Sequence, residues 1–184
     1  LEVLSSAHAM KKGIILVGPH YGSFDKLFYA LSQEEYNLTG VAYKQNNSGA
    51  DIFFKRIREN FMENQLYKGG DVKQLKNSLV KNNILILLSD QDAKKKGVKA
   101  KFFGIASSTH SGAAILSKRN KSPIIYASIT CIKNIYEVEF VKIDTSGSIN
   151  DIVQQYTSEI EKTIINNPEQ YFWFHKRWKS VRAY

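Results

Sequence analysis

Apolar residues along the chain fall in short blocks between polar turns, and continuous blocks alternate with spaced ones. Residues 14–17, Ile-Ile-Leu-Val, form a continuous block ended by Gly18-Pro19, which predicts a buried strand. Phe24, Leu27, Phe28 and Leu31 then recur every three or four residues, so a helix begins near Gly22 or Ser23. A second strand is predicted over residues 38–43. Phe53, Ile57 and Phe61 mark a helix that Asp51 caps and that runs to about residue 64. Gly69-Gly70 forms a turn, Asp71 caps a helix carrying Val72, Leu75 and Leu79, and Asn82-Asn83 closes it. Residues 84–88, Ile-Leu-Ile-Leu-Leu, make the most apolar strand. Unbroken rather than alternating apolar character predicts burial on both faces, as in a parallel sheet.

The second half is more polar. A basic loop over residues 94–101 leads to Phe102-Phe103-Gly104 and then to a serine-rich stretch that caps a helix over residues 112–118, leaving an anion-binding end of free amides. Residues 124–132 and 136–143 are predicted as strands joined by a Lys133-Asn134 turn, hence antiparallel. Ile152, Tyr156, Ile160 and Ile164, spaced by four, mark a last helix capped by Asp151, with Pro168 beyond it. This order predicts one α/β domain of 184 residues: a mixed, mostly parallel central sheet flanked by helices, with a C-terminal antiparallel hairpin.

Charge narrows the possible partners. Lys plus Arg number 26 against 17 Asp plus Glu, a formal net charge of +9, which favours phospholipid headgroups, nucleic acid or an acidic protein. The excess is concentrated in Lys94-Lys95-Lys96 with Lys99 and Lys101, and in His175-Lys176-Arg177 with Lys179 and Arg182. Each cluster reads either as a solvated loop or tail or as a binding surface. The aromatic run from Tyr171 to Trp178 fits either core followed by a tail or an interfacial anchor. The single cysteine, Cys131, lies in an apolar run and is expected to be buried core; no disulfide framework or clustered metal site exists. No apolar run approaches the roughly 18 residues that span a bilayer. The chain opens at Leu1 inside an amphipathic segment, so an upstream part, including any anchor, is expected.

Candidate chemistry gathers around His20, on the turn after the first strand. On one continuous helix, residues 20 and 25 would diverge by roughly 140°. His20 and Asp25 therefore meet only if His20 precedes the helix, where the carboxylate can accept one ring N–H and leave the other nitrogen as a base. Spacing alone also fits a capped helix with a half-buried histidine. Ser23 lacks the G-x-S-x-G setting of a nucleophile. Asp90, Gln91 and Asp92 follow a central strand, where open α/β sheets place ligands, and read as a polar wall beside His20 or as turn and cap residues. His110 reads as a capping or exposed residue rather than a second catalytic histidine.

Several of these stretches, in fixed order, resemble one family. Pro19-His20-Tyr21-Gly22-Ser23-Phe24-Asp25 resembles the H-x-x-x-x-D/E motif of the lysophospholipid acyltransferase superfamily. Tyr43-Lys44, Tyr67-Lys68-Gly69-Gly70-Asp71, Asp90-Gln91-Asp92, Phe102-Phe103-Gly104, Thr109-His110-Ser111-Gly112 and the terminal Pro168 to Arg177 resemble the Y-R, R-K-G-D, D-Q-D, F-F-G, T-P-T-G and P-E-Q-x-x-W-x-H-R-R stretches of the late acyltransferases of lipid A biosynthesis. The chain departs from that pattern at Asp25 for Glu, Lys44 for Arg and His110 for Pro. Lys44 loses the planar fork of an arginine and would meet a phosphate as a point charge. The F-P-E-G-T-R type of motif, which marks glycerolipid acyltransferases, is not visible.

The resemblance implies a lysophospholipid acyltransferase-like fold and acyl transfer from acyl carrier protein to a hydroxyl of a lipid A precursor. His20 would be the general base and Asp25 its partner, with no metal and no cofactor, since the acylated carrier protein is the donor substrate. Gly22, Lys44, Arg58, Lys68, Gly69, Asp90, Gln91, Asp92 and Thr109 are the implied substrate-binding residues, and the amides of the Gly22 region, Lys44, Arg58 or Lys68 the candidate oxyanion donors. Partners would be the carrier protein, an anionic lipid and the cytoplasmic face of the bacterial inner membrane, not nucleic acid, with the family's membrane anchor upstream of Leu1. Acylation of a glycolipid, aminolipid or lysophospholipid, or silent lipid binding, are the alternatives.

Overall fold

A computed structural model describes residues 1–34 and 36–181. Strand β1 (Ile14–Gly18) is buried at every residue and lies between β4 (Ile84–Leu88) and β7 (Ile124–Ile132). With β2 (Leu38–Ala42), β3 (Asn64–Tyr67) and β8 (Ile135–Ile143) they form a six-stranded sheet in the order β3-β2-β4-β1-β7-β8. All neighbours pair in parallel except β7 and β8. That last pair is closed by Lys133 and Asn134, both at positive φ (49° and 65°), the turn whose twist matches a hairpin.

The continuous apolar strands have cores on both sides. Ile14 and Leu16 of β1 pack with α1 (Glu2–Ala9) and α2 (Phe24–Gln33) through Leu4, Leu27, Phe28 and Leu31. Ile15 and Val17 face the opposite core, which α4 (Val72–Val80), α5 (Gly112–Asn120) and α6 (Ile149–Asn166) fill through Leu79, Ala114, Ile152, Tyr156 and Ile160. The result is a three-layer α/β sandwich, as the pattern predicts.

The differences have local causes. Helix α3 (Ser48–Glu59) is capped by Asn47, whose side chain takes the Ala50 N–H at 2.9 Å; Asp51 sits in its first turn and accepts from Gln45 N and Tyr67 Oη. It ends before residue 64 because Asn64 opens β3, an edge strand that buries no residue and so carries no hydrophobic period. Residues 98–101 are not loop: β5 (Val98–Phe102) pairs antiparallel with β6 (Ile105–Thr109), with Ala100 and Phe102 buried and Lys99 and Lys101 exposed. The last helix is capped by Ser148, with Asp151 completing a reciprocal capping box. Cys131 is only half-buried, since the burial of β7 is lost over its last three residues. Arg182 lies outside the described residues. Among the described residues no helix is long and apolar enough to cross a membrane.

Candidate active site

Parallel register brings the two key side chains together. Gly18 of β1 is paired with Leu88 of β4. His20 and Asp90 each stand two positions past that pair, on neighbouring strands whose spacing is about 4.8 Å. His20 Nδ1 meets Asp90 Oδ1 at 2.7 Å. The imidazole side chain is 27% exposed and that of Asp90 1%. Asp90 Oδ2 is buried and makes no hydrogen bond among the described residues. A buried carboxylate with an unpaired oxygen is costly until a positive charge adjoins it, and an imidazolium at His20 is such a charge.

This corrects the expected pairing of His20 with Asp25. Asp25 occupies the first turn of α2, exposed, and lines the same cavity as His20 without hydrogen-bonding to it. The carboxylate that holds a ring nitrogen is instead Asp90, at Nδ1, from the adjacent strand end.

The turn that carries His20 is fastened by the C-terminal segment. Gly22 N donates to Gln170 O at 2.9 Å, Phe172 N to His20 O at 3.1 Å and Tyr21 Oη to Asn167 O at 3.1 Å. The Gln170 side chain in turn grips β7, accepting from Cys131 N (2.9 Å) and donating to Cys131 O (3.0 Å). Gly22 has φ +54°, and a Cβ there would stand 2.5 Å from Ile129 O, so both backbone and space require glycine. Its amide is committed to Gln170, which removes it as an oxyanion donor.

Beyond the imidazole opens a cavity of about 760 Å³. Phe24, Phe28, Ile57, Phe61, Met62 and Ile86 give it an apolar wall, and Arg58, Lys68, Gln91 and His110 a polar one, with Gly112 and Ala113 of the α5 N-terminus beside them. Lys68 Nζ contacts Tyr43 Oη and lies 3.2 Å from His110 Nε2. Burial and the nearby Lys68 and Arg177 charges push the His110 pKa down to about 4, so the ring is neutral at neutral pH and accepts from the ammonium. Arg58 donates to Gln65 at 3.0 Å.

The structure does not bring the remaining implied residues to the cavity wall. Lys44 and Gly69 are exposed outside it. Asp92 and Thr109 are buried behind it, joined to the C-terminal segment. Arg177, which the sequence places in a basic tail or binding cluster, is 2% exposed and donates to Ser108 O (2.7 Å) and Thr109 Oγ1 (2.6 Å). His175 Nε2 accepts the Asp92 N–H at 3.0 Å, and Ser180 Oγ donates to Asp92 Oδ2 at 2.6 Å. The signal for this strap was present in the aromatics that interleave these positions, Tyr171 and Trp178, which reach the core around Phe102.

No curated protein matches the chain. A family model, that of the bacterial lipid A biosynthesis acyltransferases, matches residues 1–180, and the chain belongs to that family.

Proposed function

We propose that the protein transfers a fatty acyl chain from acyl carrier protein to a hydroxyl of a lipid A precursor, with His20 as general base. The observation that carries this reading is the imidazole held by a buried carboxylate at the wall of a largely apolar cavity. With Nδ1 engaged by Asp90, Nε2 is left to take the acceptor proton as the hydroxyl oxygen attacks the thioester carbon. The imidazolium then formed is stabilised by Asp90, and the collapsing intermediate expels the carrier thiolate, which recovers that proton. No acyl-enzyme is needed. Lys68 and the first-turn amides of α5 present positive charge on the same wall, suited to an oxyanion or a lipid phosphate. The apolar side would hold the acyl chain. The family's link to lipid A biosynthesis and the apolar wall support a reading in which this chemistry takes place at the inner-membrane surface.

Incubating the protein and an acylated carrier protein with a lipid A precursor, then weighing the lipid by mass spectrometry, tests the proposal. The precursor should gain one acyl mass, and His20→Ala should lose about 10²- to 10⁴-fold in rate with its fold intact. Acylation of a lysophospholipid alone, or none of either acceptor, would overturn it.

A further inference from the structure

Helix α3 runs for 12 residues without burying one. Helices on globular domains ordinarily bury an apolar stripe. This one has the stripe: Phe53, Phe54 and Ile57 share a face that continues to Phe61. Its inner edge, Phe54, Ile57 and Phe61, lines the cavity, whereas Phe53 is 59% exposed and Ile52, one position earlier, 53% exposed, both outside the cavity lining. Arg56 and Arg58 flank the stripe, and Lys44 is exposed just ahead of the helix. The acidic residues of α3 are engaged locally, Glu59 with Lys55 at 3.6 Å and Asp51 with Gln45 N and Tyr67 Oη. Exposed aromatic and aliphatic side chains bordered by arginine and lysine are the composition of a helix that lies in the headgroup region of an anionic bilayer.

We propose that α3 seats the domain on an anionic phospholipid surface, stripe inward, so that the cavity opens onto the acyl region of the bilayer. Continuity favours this occupant: the same stripe that would enter the lipid passes without interruption into the cavity wall, so a chain leaves one apolar phase for another. A second copy of this chain would set the same cationic flank against itself. An acidic protein would satisfy the charge and leave Ile52 and Phe53 against a polar surface. The proposal rests on the acyltransferase reading only for what fills the cavity, and vesicle binding is measured apart from turnover.

The experiment compares sedimentation with equimolar phosphatidylglycerol–phosphatidylcholine vesicles and with phosphatidylcholine vesicles. The protein should bind the anionic vesicles more tightly, and Ile52→Ser with Phe53→Ser should weaken that binding at least about ten-fold. Acyl transfer to detergent-dispersed acceptor should stay unchanged in that variant. Independently, Phe53→Cys in a Cys131→Ser background, labelled with an environment-sensitive fluorophore, should shift its emission to the blue on adding anionic vesicles. Equal vesicle binding by protein and variant, or a label that stays in water, would overturn the proposal. So would a variant that binds vesicles normally but loses binding to acyl carrier protein or a concentration-dependent dimer. Absence of acyl transfer alongside normal vesicle binding would instead remove the proposed reaction and leave the docking surface standing.

Discussion

Two carboxylates compete for the role of partner to His20, and their surroundings separate them. Asp90 is buried and hydrogen-bonded to Nδ1, whereas Asp25 is exposed across the cavity wall. Orienting an imidazole requires a fixed acceptor, and a buried one also acts with less screening. Asp90→Asn should therefore lower kcat about 10²- to 10⁴-fold with little change in KM, and Asp25→Asn should cost about ten-fold or less. Steady-state kinetics of the two variants decide it; the reverse order would return the catalytic carboxylate to the helix. His110 gives a second test at this scale. Its folded pKa of about 4 lies below the ordinary 6.5, so between these values the unfolded chain binds a proton that the folded one refuses. Stability is then complete above pH 6.5 and falls as pH drops toward 4. Burial also lowers the pKa of His175, so the two rings act in the same direction. Denaturant midpoints across this range should fall less steeply in His110→Gln, by about one proton.

Among the elements, the strap after α6 connects catalysis to stability. Gln170 fastens β7 with its side chain and the His20 turn with its carbonyl. Gln170→Ala removes two hydrogen bonds to a half-buried backbone and should cost about 1–3 kcal/mol in denaturant unfolding. Because the His20 turn loses part of its support, kcat should fall more than KM rises. The strap also shows what a linear pattern can and cannot convey. Strands such as β4 were legible because burial on both faces leaves an unbroken apolar run. Strand β3 was not, because an edge with no buried residue has no hydrophobic signature. The alternation Val98-Lys99-Ala100-Lys101-Phe102 was a strand signal hidden by its lysines, whose exposed side chains are the solvated face of a hairpin. His20 was legible as a candidate and Asp90 as part of a polar wall beside it, but their pairing was not. Asp90 lies 70 residues away and is its neighbour only through the pairing of β1 with β4, which residue spacing does not encode.

At the scale of the molecule, the cavity lies between the sheet and the face of α3 that the sheet leaves unburied. Gly40, Val41 and Ala42 of β2, with Ile86, Leu87 and Leu88 of β4, form its floor, and α3 stands over it without packing down. Under the proposed reaction, an acyl chain held there would be measured against the strand residues that line it, as in other sites where discrimination rests on fit to an apolar slot. One methylene in such a slot is worth about 10- to 200-fold in kcat/KM. Ala42 is the place to change its length, since it closes β2, lines the cavity and holds the Lys68 N–H through its carbonyl, a bond that a larger side chain leaves in place. Ala42→Leu should shift preference toward shorter acyl donors by at least about ten-fold, read as the ratio of kcat/KM for carrier proteins loaded with chains of different length. Vesicle binding through α3 should not move, because Ile52 and Phe53 are untouched. If the ratio stays fixed while turnover survives, the chain does not lie along β2, and the apolar wall of this cavity serves the acceptor lipid instead of the donor.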